Sequence, residues 1–353
     1  MKRKLTALIL ALCLLLTGCE FTIVFESGPP AADTALSKGL TVHFLDVGQA
    51  DCALIEHAGQ FILIDGGNVE DGSKVVAYLE QQGVQSLRAV ICTHAHEDHV
   101  GGLPAVLAVY PTEAVYAPTR VYASEVFDDF LRYTDQQGLS VTIPSPGDIL
   151  TLGSGTDKLE LTVLGPVKSY AETNNTSIIL RADYGETSFL FTGDMEIAAE
   201  NDMLDHWGSR WEEVDVLKVG HHGSDTSTGY RFLYDCRPDY AVISVGEGNT
   251  YGHPHEIPLS RLHNAGCTIF RTDLLGAVTA FSDGREVTFI WENQNILPLN
   301  AEAGDARLIG NVCSMKLHNA FCTYLPGEQN RVYFESYQEA IDAGYIPCGN
   351  CME

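Results

Sequence analysis

Positive charge is scarce in this chain of 353 residues: 21 Lys and Arg stand against 47 Asp and Glu, a formal net charge of -26. That balance excludes broad electrostatic capture of nucleic acid, so an anionic substrate has to be drawn in locally, by metal ions. A comfortable membrane span is also missing. The apolar run at the N-terminus, residues 5–16, holds twelve residues, well short of the roughly 20 a spanning helix needs. Repeats of solenoid type are absent. Disorder is excluded for most of the chain by composition, 45% hydrophobic and 19% charged. The length suits one large domain plus a small one.

What is present begins with a signal. Lys2, Arg3 and Lys4 precede the apolar run, and Leu16-Thr17-Gly18-Cys19 follows it. This pattern resembles the bacterial lipoprotein cleavage box, which implies that residues 1–18 are a signal peptide and that Cys19 carries lipid. Residues 19–38, with Ser27-Gly28-Pro29-Pro30, read as a tether. The expected product is an acidic, extracytoplasmic protein held to the membrane by its lipid. The alternatives are an uncleaved anchor or a plain secretory signal.

Chemistry concentrates in Thr93-His94-Ala95-His96-Glu97-Asp98-His99, directly after the apolar run 89–92. Imidazole and carboxylate suit zinc and similar divalent metals. The spacing can aim His94 and His96 at one metal and Asp98 and His99 at another. Two more apolar strands end the same way. Residues 189–194 deliver Gly193-Asp194, and residues 214–224 deliver Gly220-His221-His222-Gly223-Ser224. Successive strand side chains point to opposite faces, so one of His221 and His222 is expected to reach a metal. Tyr251-Gly252-His253-Pro254-His255 offers further imidazoles. His253 is expected to hold substrate or act as a general acid.

Between these motifs, alternation and helical spacing predict strands at 40–45, 52–56, 61–64, 87–92, 114–117, 141–143, 159–164, 178–182, 188–192, 214–219, 240–245, 268–271, 277–281 and 287–291. Helices are predicted at 74–82, near 103–109, and at 124–137, 196–206, 230–236 and 259–264. Two groups of strands, each followed by helices, fit two sheets between helical layers.

The residues resemble the metallo-β-lactamase superfamily. Phe44-Leu45-Asp46-Val47-Gly48-Gln49, Asp65-Gly66-Gly67, Asn174-Asn175-Thr176-Ser177, Leu217-Lys218-Val219-Gly220-His221-His222-Gly223-Ser224 and Tyr251-Gly252-His253-Pro254 resemble the hydrolase domain of ComEC-type competence proteins. The resemblance covers residues 39–292. It implies an αββα sandwich of the α/β class, with one or two divalent metals, Zn or Mn, held by His94, His96, Asp98, His99, Asp194 and His221 or His222. It further implies that Asp98 takes a proton from the attacking water, and that the substrate is DNA or another phosphodiester. Two departures stand out. The wider superfamily has another histidine where this chain reads Thr173-Asn174-Asn175-Thr176-Ser177, so Asn174 and Asn175 become candidates for metal or substrate contact. Ala50 stands where the branch usually has glycine.

Residues 293–308 read as a linker, and 309–353 as a small module. His318-x3-Cys322 and Cys348-x2-Cys351 fit a tetrahedral structural zinc. The segment resembles the Ada-type metal-binding module, with His318 in place of the first cysteine. The alternative is two disulfides among Cys313, Cys322, Cys348 and Cys351.

The expected function is metal-dependent hydrolysis, by a phosphodiesterase or DNA nuclease. The alternatives are hydrolysis of another extracellular phosphoester or ester, such as a phosphocholine or teichoic acid substituent, and a non-catalytic metal-dependent binding protein. No protein partner is indicated.

Overall fold

The computed structural model describes residues 39–208, 213–299, 308–318, 322, 324–334, 337–349 and 352. The expected signal peptide, Cys19, the tether and Cys351 lie outside them.

Five strands come first: β1 (Leu40–Phe44), β2 (Ala53–His57), β3 (Gln60–Ile64), β4 (Ala89–Ile91) and β5 (Val115–Tyr116). Helices α1 (Gly72–Gln81), α2 (Glu97–Val100), α3 (Leu103–Val109) and α4 (Glu125–Gln136) are threaded among and after them. The second group is β6 (Ile149–Ser154), β7 (Asp157–Gly165), β8 (Ile179–Tyr184), β9 (Thr187–Phe191), β10 (Val216–Lys218), β11 (Tyr240–Ile243) and β12 (Thr268–Arg271). With it come α5 (Ile197–Trp207), α6 (Tyr230–Cys236), α7 (Glu256–Asn264) and α8 (Thr272–Leu275). Strands β13 (Val278–Ser282) and β14 (Val287–Trp291) return to the first group. The sheets run β14-β13-β1-β2-β3-β4-β5 and β12-β11-β10-β9-β8-β7-β6.

A sandwich forms because each central strand is apolar on both sides. In β3, Ile62 and Ile64 face the opposite sheet, in one core with Phe189 and Phe191. Phe61 and Leu63 face the helical layer, with Val75, Leu79 and Leu103. The second sheet repeats this, with Leu190 and Leu217 packed under Met203 and Leu233. Two-sided burial is why these strands read as continuous apolar runs rather than alternating ones. Helix α4 starts where Ser124 accepts a hydrogen bond from the Phe127 N–H.

One predicted strand needs correction, and one sandwich strand was not predicted. Residues 141–143 make only an isolated bridge, Tyr116 to Thr142. The true edge strand is β6, whose outward residues Ile149 and Thr151 are exposed. Edge strands bury one face at most, so β6 lacked the apolar run that marks the others. The expected linker is also partly engaged, since Leu299 bridges to Ile269.

The C-terminal strands β15 (Leu308–Asn311), β16 (Lys316–His318), β17 (Arg331–Phe334) and β18 (Ile346–Pro347) form a sheet of order β17-β15-β16-β18, with α9 (Tyr337–Asp342) against it. The small core includes Leu308, Leu317, Phe334 and Ala340, and it also takes in Tyr230 of α6. Tyr337 stacks on Tyr230 with ring centroids 5.2 Å apart. No helix among the described residues is long and apolar enough to cross a membrane.

Candidate metal centre

Strands β9 to β12 are mutually parallel, as are β3 to β5. Their C-terminal ends open at one edge of the sandwich, where α/β sheets generally place ligands. From β4 the chain runs into the histidine cluster, from β9 into Asp194, from β10 into His221 and His222, and from β11 toward His253. A cavity of about 670 Å³ lies there, lined by His96, Asp98, Asn174, Asp194, His221, His222 and His253 among others.

One half of the site is buried and closely defined. The ligand atoms of Asp98, His99, Asp194 and His222 lie within 4.8 Å of one another. His99 Nε2 is 3.2 Å from Asp194 Oδ1, and His222 Nε2 is 3.4 Å from Asp98 Oδ2. The tautomers are set from behind. His99 Nδ1 donates to Asp65 Oδ2 at 2.8 Å. His222 Nδ1 donates to the Ser244 carbonyl at 3.0 Å, with Asp51 Oδ1 at 3.4 Å. In the neutral form of each ring, the one that binds a metal, the Nε2 lone pair points into the site. His99 Nε2, His222 Nε2 and Asp194 Oδ1 are all buried with no hydrogen-bond partner. Orphaned buried acceptors that converge are costly unless a cation joins them, so this donor set fits a divalent metal.

The second half shares the other carboxylate oxygen. Asp194 Oδ2 lies 3.9 Å from His94 Nε2 and 3.7 Å from His221 Nε2. His94 Nε2 is 3.0 Å from His96 Nδ1. Asp194 thus faces two groups of nitrogens, the arrangement a carboxylate needs to bridge two metals.

Charge follows this geometry. Burial works to raise the Asp98 carboxyl, yet His99 and His222 outweigh it and hold it down to about 2. Burial likewise opposes charge on His222, but Asp194 and Asp51 win and push it up to about 10. His94 is driven well down by burial and by His99. Metal binding at this edge must therefore displace protons.

Both His221 and His222 reach the cavity, where one was expected. They leave the strand in left-handed conformations, φ 49° and 52°. Strand alternation no longer applies at that point, and both rings swing to the same side. Positive φ on non-glycine residues is uncommon and strained, a feature that collects at functional sites.

The two asparagines part company. Asn175 Oδ1 accepts from the Glu196 N–H and its Nδ2 donates to Glu196 Oε2, so it latches a loop and does not enter the cavity. Asn174 lines the cavity, and its Oδ1 is buried without a partner. His253 is fixed through Gln49. Gln49 Oε1 accepts from the Gly246 N–H at 3.2 Å, so its Nε2 must donate to His253 Nδ1, also at 3.2 Å. His253 is left with a donating Nε2–H. Burial and the neighbouring His221 and His222 hold it down to about 4.

Three supporting residues escaped sequence reasoning. Asp51 pairs with the buried Lys218 at 2.8 Å, and Asp65 backs His99. The signal was there in Lys218, a cation inside an apolar strand, which demands a buried partner.

In the C-terminal sheet, His318, Cys322 and Cys348 bring their ligand atoms within 4.8 Å of one another. Cys313, Cys322 and Cys348 are free thiols. Nitrogen and sulfur donors at this spacing fit zinc.

Comparison with known proteins shows the family. The model of the metallo-beta-lactamase superfamily matches residues 45–247. ComE operon protein 3 of Bacillus subtilis strain 168 is 30% identical over 273 residues, covering 72% of this chain and 34% of that protein. Recombination protein 2 of Haemophilus influenzae is 32% identical over 280 residues, covering 76% of this chain and 32% of that protein. The chain thus spans about a third of the length of these relatives. Among solved structures, the metallo-beta-lactamase fold protein YhfI from Bacillus subtilis aligns at TM-score 0.45 and 12% identity, covering 71% of this chain and 100% of that one. With two helix-flanked sheets and histidine–aspartate clusters at their common edge, this chain belongs to the metallo-β-lactamase superfamily, in the branch it shares with competence proteins.

Proposed function

We propose that this metal-dependent hydrolase cleaves phosphodiesters, with DNA as the first polymer to test, and that it works outside the cytoplasm on a lipid anchor at Cys19. The observation that carries the chemistry is the convergence of buried, unpartnered His99 Nε2, His222 Nε2 and Asp194 Oδ1 on an open cavity. A divalent ion held there supplies Lewis acidity and a more acidic water. His94, His96 and His221 are assigned to a second ion sharing Asp194.

The chain's own groups do the positioning. Asp98 is ionised at neutral pH and lies on the cavity wall, where it accepts a hydrogen bond from the attacking water. His253, neutral with its proton on Nε2, donates a hydrogen bond toward a phosphate oxygen and does not deliver a full proton. Asn174 Oδ1 adds an acceptor beside His221. The relatives' names, from competence and recombination, support DNA as the polymer. A structural zinc on His318, Cys322, Cys348 and Cys351 is assigned to the C-terminal module.

The test is an assay of the full chain with Zn, Mn or Mg added back, against DNA and a small phosphodiester such as bis-p-nitrophenyl phosphate. Cleavage of both, abolished by chelation and by Asp98→Ala, is the expected result. Cleavage of the small diester alone moves the assignment to another phosphoester. Tight metal binding without turnover of either sinks the phosphodiesterase reading.

A further inference from the structure

Among the described residues the cavity wall holds no lysine or arginine. Its charged lining consists of Glu70, Glu97, Asp98 and Asp194, with histidines between them. A site that tracks a duplex needs a row of cations on successive phosphates. Here only one phosphate, at the metal centre, has groups to hold it. Whatever else secures a nucleic acid must be uncharged.

One feature of the rim supplies that. Tyr251 lines the cavity and is 68% exposed, although an aromatic ring of its size gains by burial. It is not loose. Its ring stacks on His253 at 5.7 Å and 25°, and His253 in turn stacks on His222 at 6.4 Å and 25°. Backbone pins hold the loop. Asn249 Oδ1 accepts from the His253 N–H at 3.0 Å, and its Nδ2 donates to the Gly246 carbonyl at 2.9 Å. His255 Nδ1 accepts from the Asp225 N–H, so its Nε2–H donates to the Tyr251 carbonyl at 3.3 Å. A ring already fixed in place loses little freedom when it takes a partner.

We propose that Tyr251 is a base-stacking platform, and that the substrate is single-stranded nucleic acid whose unpaired base lies on this ring while the adjoining phosphodiester sits at the metal centre. This rests on the phosphodiesterase reading above. Base–aromatic stacking accepts every base, so the site selects for unpaired bases over sequence. A duplex keeps its faces covered and gains nothing from the ring. Binding through one phosphate also makes affinity weakly salt-dependent.

The experiment compares the metal-loaded full chain with Tyr251→Ala and Tyr251→Phe. The probes are a single-stranded hexadeoxynucleotide carrying 2-aminopurine and the same chain built from abasic residues. Stacking on one ring is worth a roughly 5- to 150-fold loss on truncation to alanine. The expected result is a loss of that order in binding and a matching rise in KM for the base-bearing oligomer, with kcat and abasic cleavage held, and recovery in Tyr251→Phe. Equal binding by Tyr251→Ala and wild type overturns the proposal, as does an equal loss on the abasic chain. Absence of turnover in the wild type would overturn the phosphodiesterase reading, while the 2-aminopurine titration still decides Tyr251.

Discussion

The two ligand clusters of this chain are built on opposite terms. At the sandwich edge, His99 in α2 and His222 just after β10 follow strands whose cores are complete without any ion, and Asp65 and the Ser244 carbonyl hold their rings. In the C-terminal module, His318, Cys322 and Cys348 join a sheet of four short strands with a small core. The first cluster is prepared by the protein and left open for chemistry. In the second, three ligand atoms close on one another beside a small core, where a bound metal would supply folding free energy. On the proposed reading, one metal is used and the other holds structure.

That contrast can be broken in four ways. The largest effect is expected from Asp194→Ala, which removes the carboxylate shared by both halves of the open site. Phosphodiester turnover should fall to the detection limit while the circular dichroism spectrum is unchanged, and a lost fold would show that this edge too depends on its metal. Next comes Cys348→Ser. Limited proteolysis should then cut within residues 308–349 and spare the sandwich, as chelation should in the wild type. Protection of that region in the variant would refute a metal-dependent module.

Asp65→Asn is milder. Removing the partner that orients His99 should weaken metal binding at the open site by roughly 10- to 100-fold, read by competition with a chromogenic chelator. Unchanged affinity would mean that His99 is held by packing alone. The smallest effect concerns Glu200, which accepts from the Thr228 and Gly229 N–H groups ahead of α6. Burial raises its carboxyl to about 7, against the pull of those two N–H groups and of Arg261. A raised acid favours the protonated fold, so stability should decline as pH rises from the ordinary glutamate range through about 7. Glu200→Gln should flatten that part of the melting-temperature profile, and an identical profile would refute it.

How much of this was legible depends on what each residue announces about itself. Strands β3, β4, β9 and β10 were visible because burial on both faces forces an apolar run. Their polar endings, His94 to His99, Asp194 and His221-His222, stood out for the same reason. β6 was not visible, since an edge strand with one exposed face has no such run. That His221 and His222 both line the cavity was hidden, because it arises from two left-handed residues, which a strand pattern does not encode. Asn174 and Asn175 look alike in sequence. Both donate to the Glu196 carboxylate, and only Asn175 also accepts the Glu196 N–H, which makes it the loop latch while Asn174 lines the cavity. The Asp51–Lys218 pair joins residues far apart in sequence, and spacing does not reveal such a partner.

The stacking of Tyr337 on Tyr230 has a practical side. Tyr230 is 1% exposed, and its ring belongs to the module's core while its backbone belongs to α6. A recombinant fragment ending at residue 292 would strip that cover and leave Tyr230 and its neighbour Tyr234 facing water. Such a fragment carries a sticky aromatic patch of the sort that drives self-association. The soluble unit for expression is therefore the sandwich together with its tail.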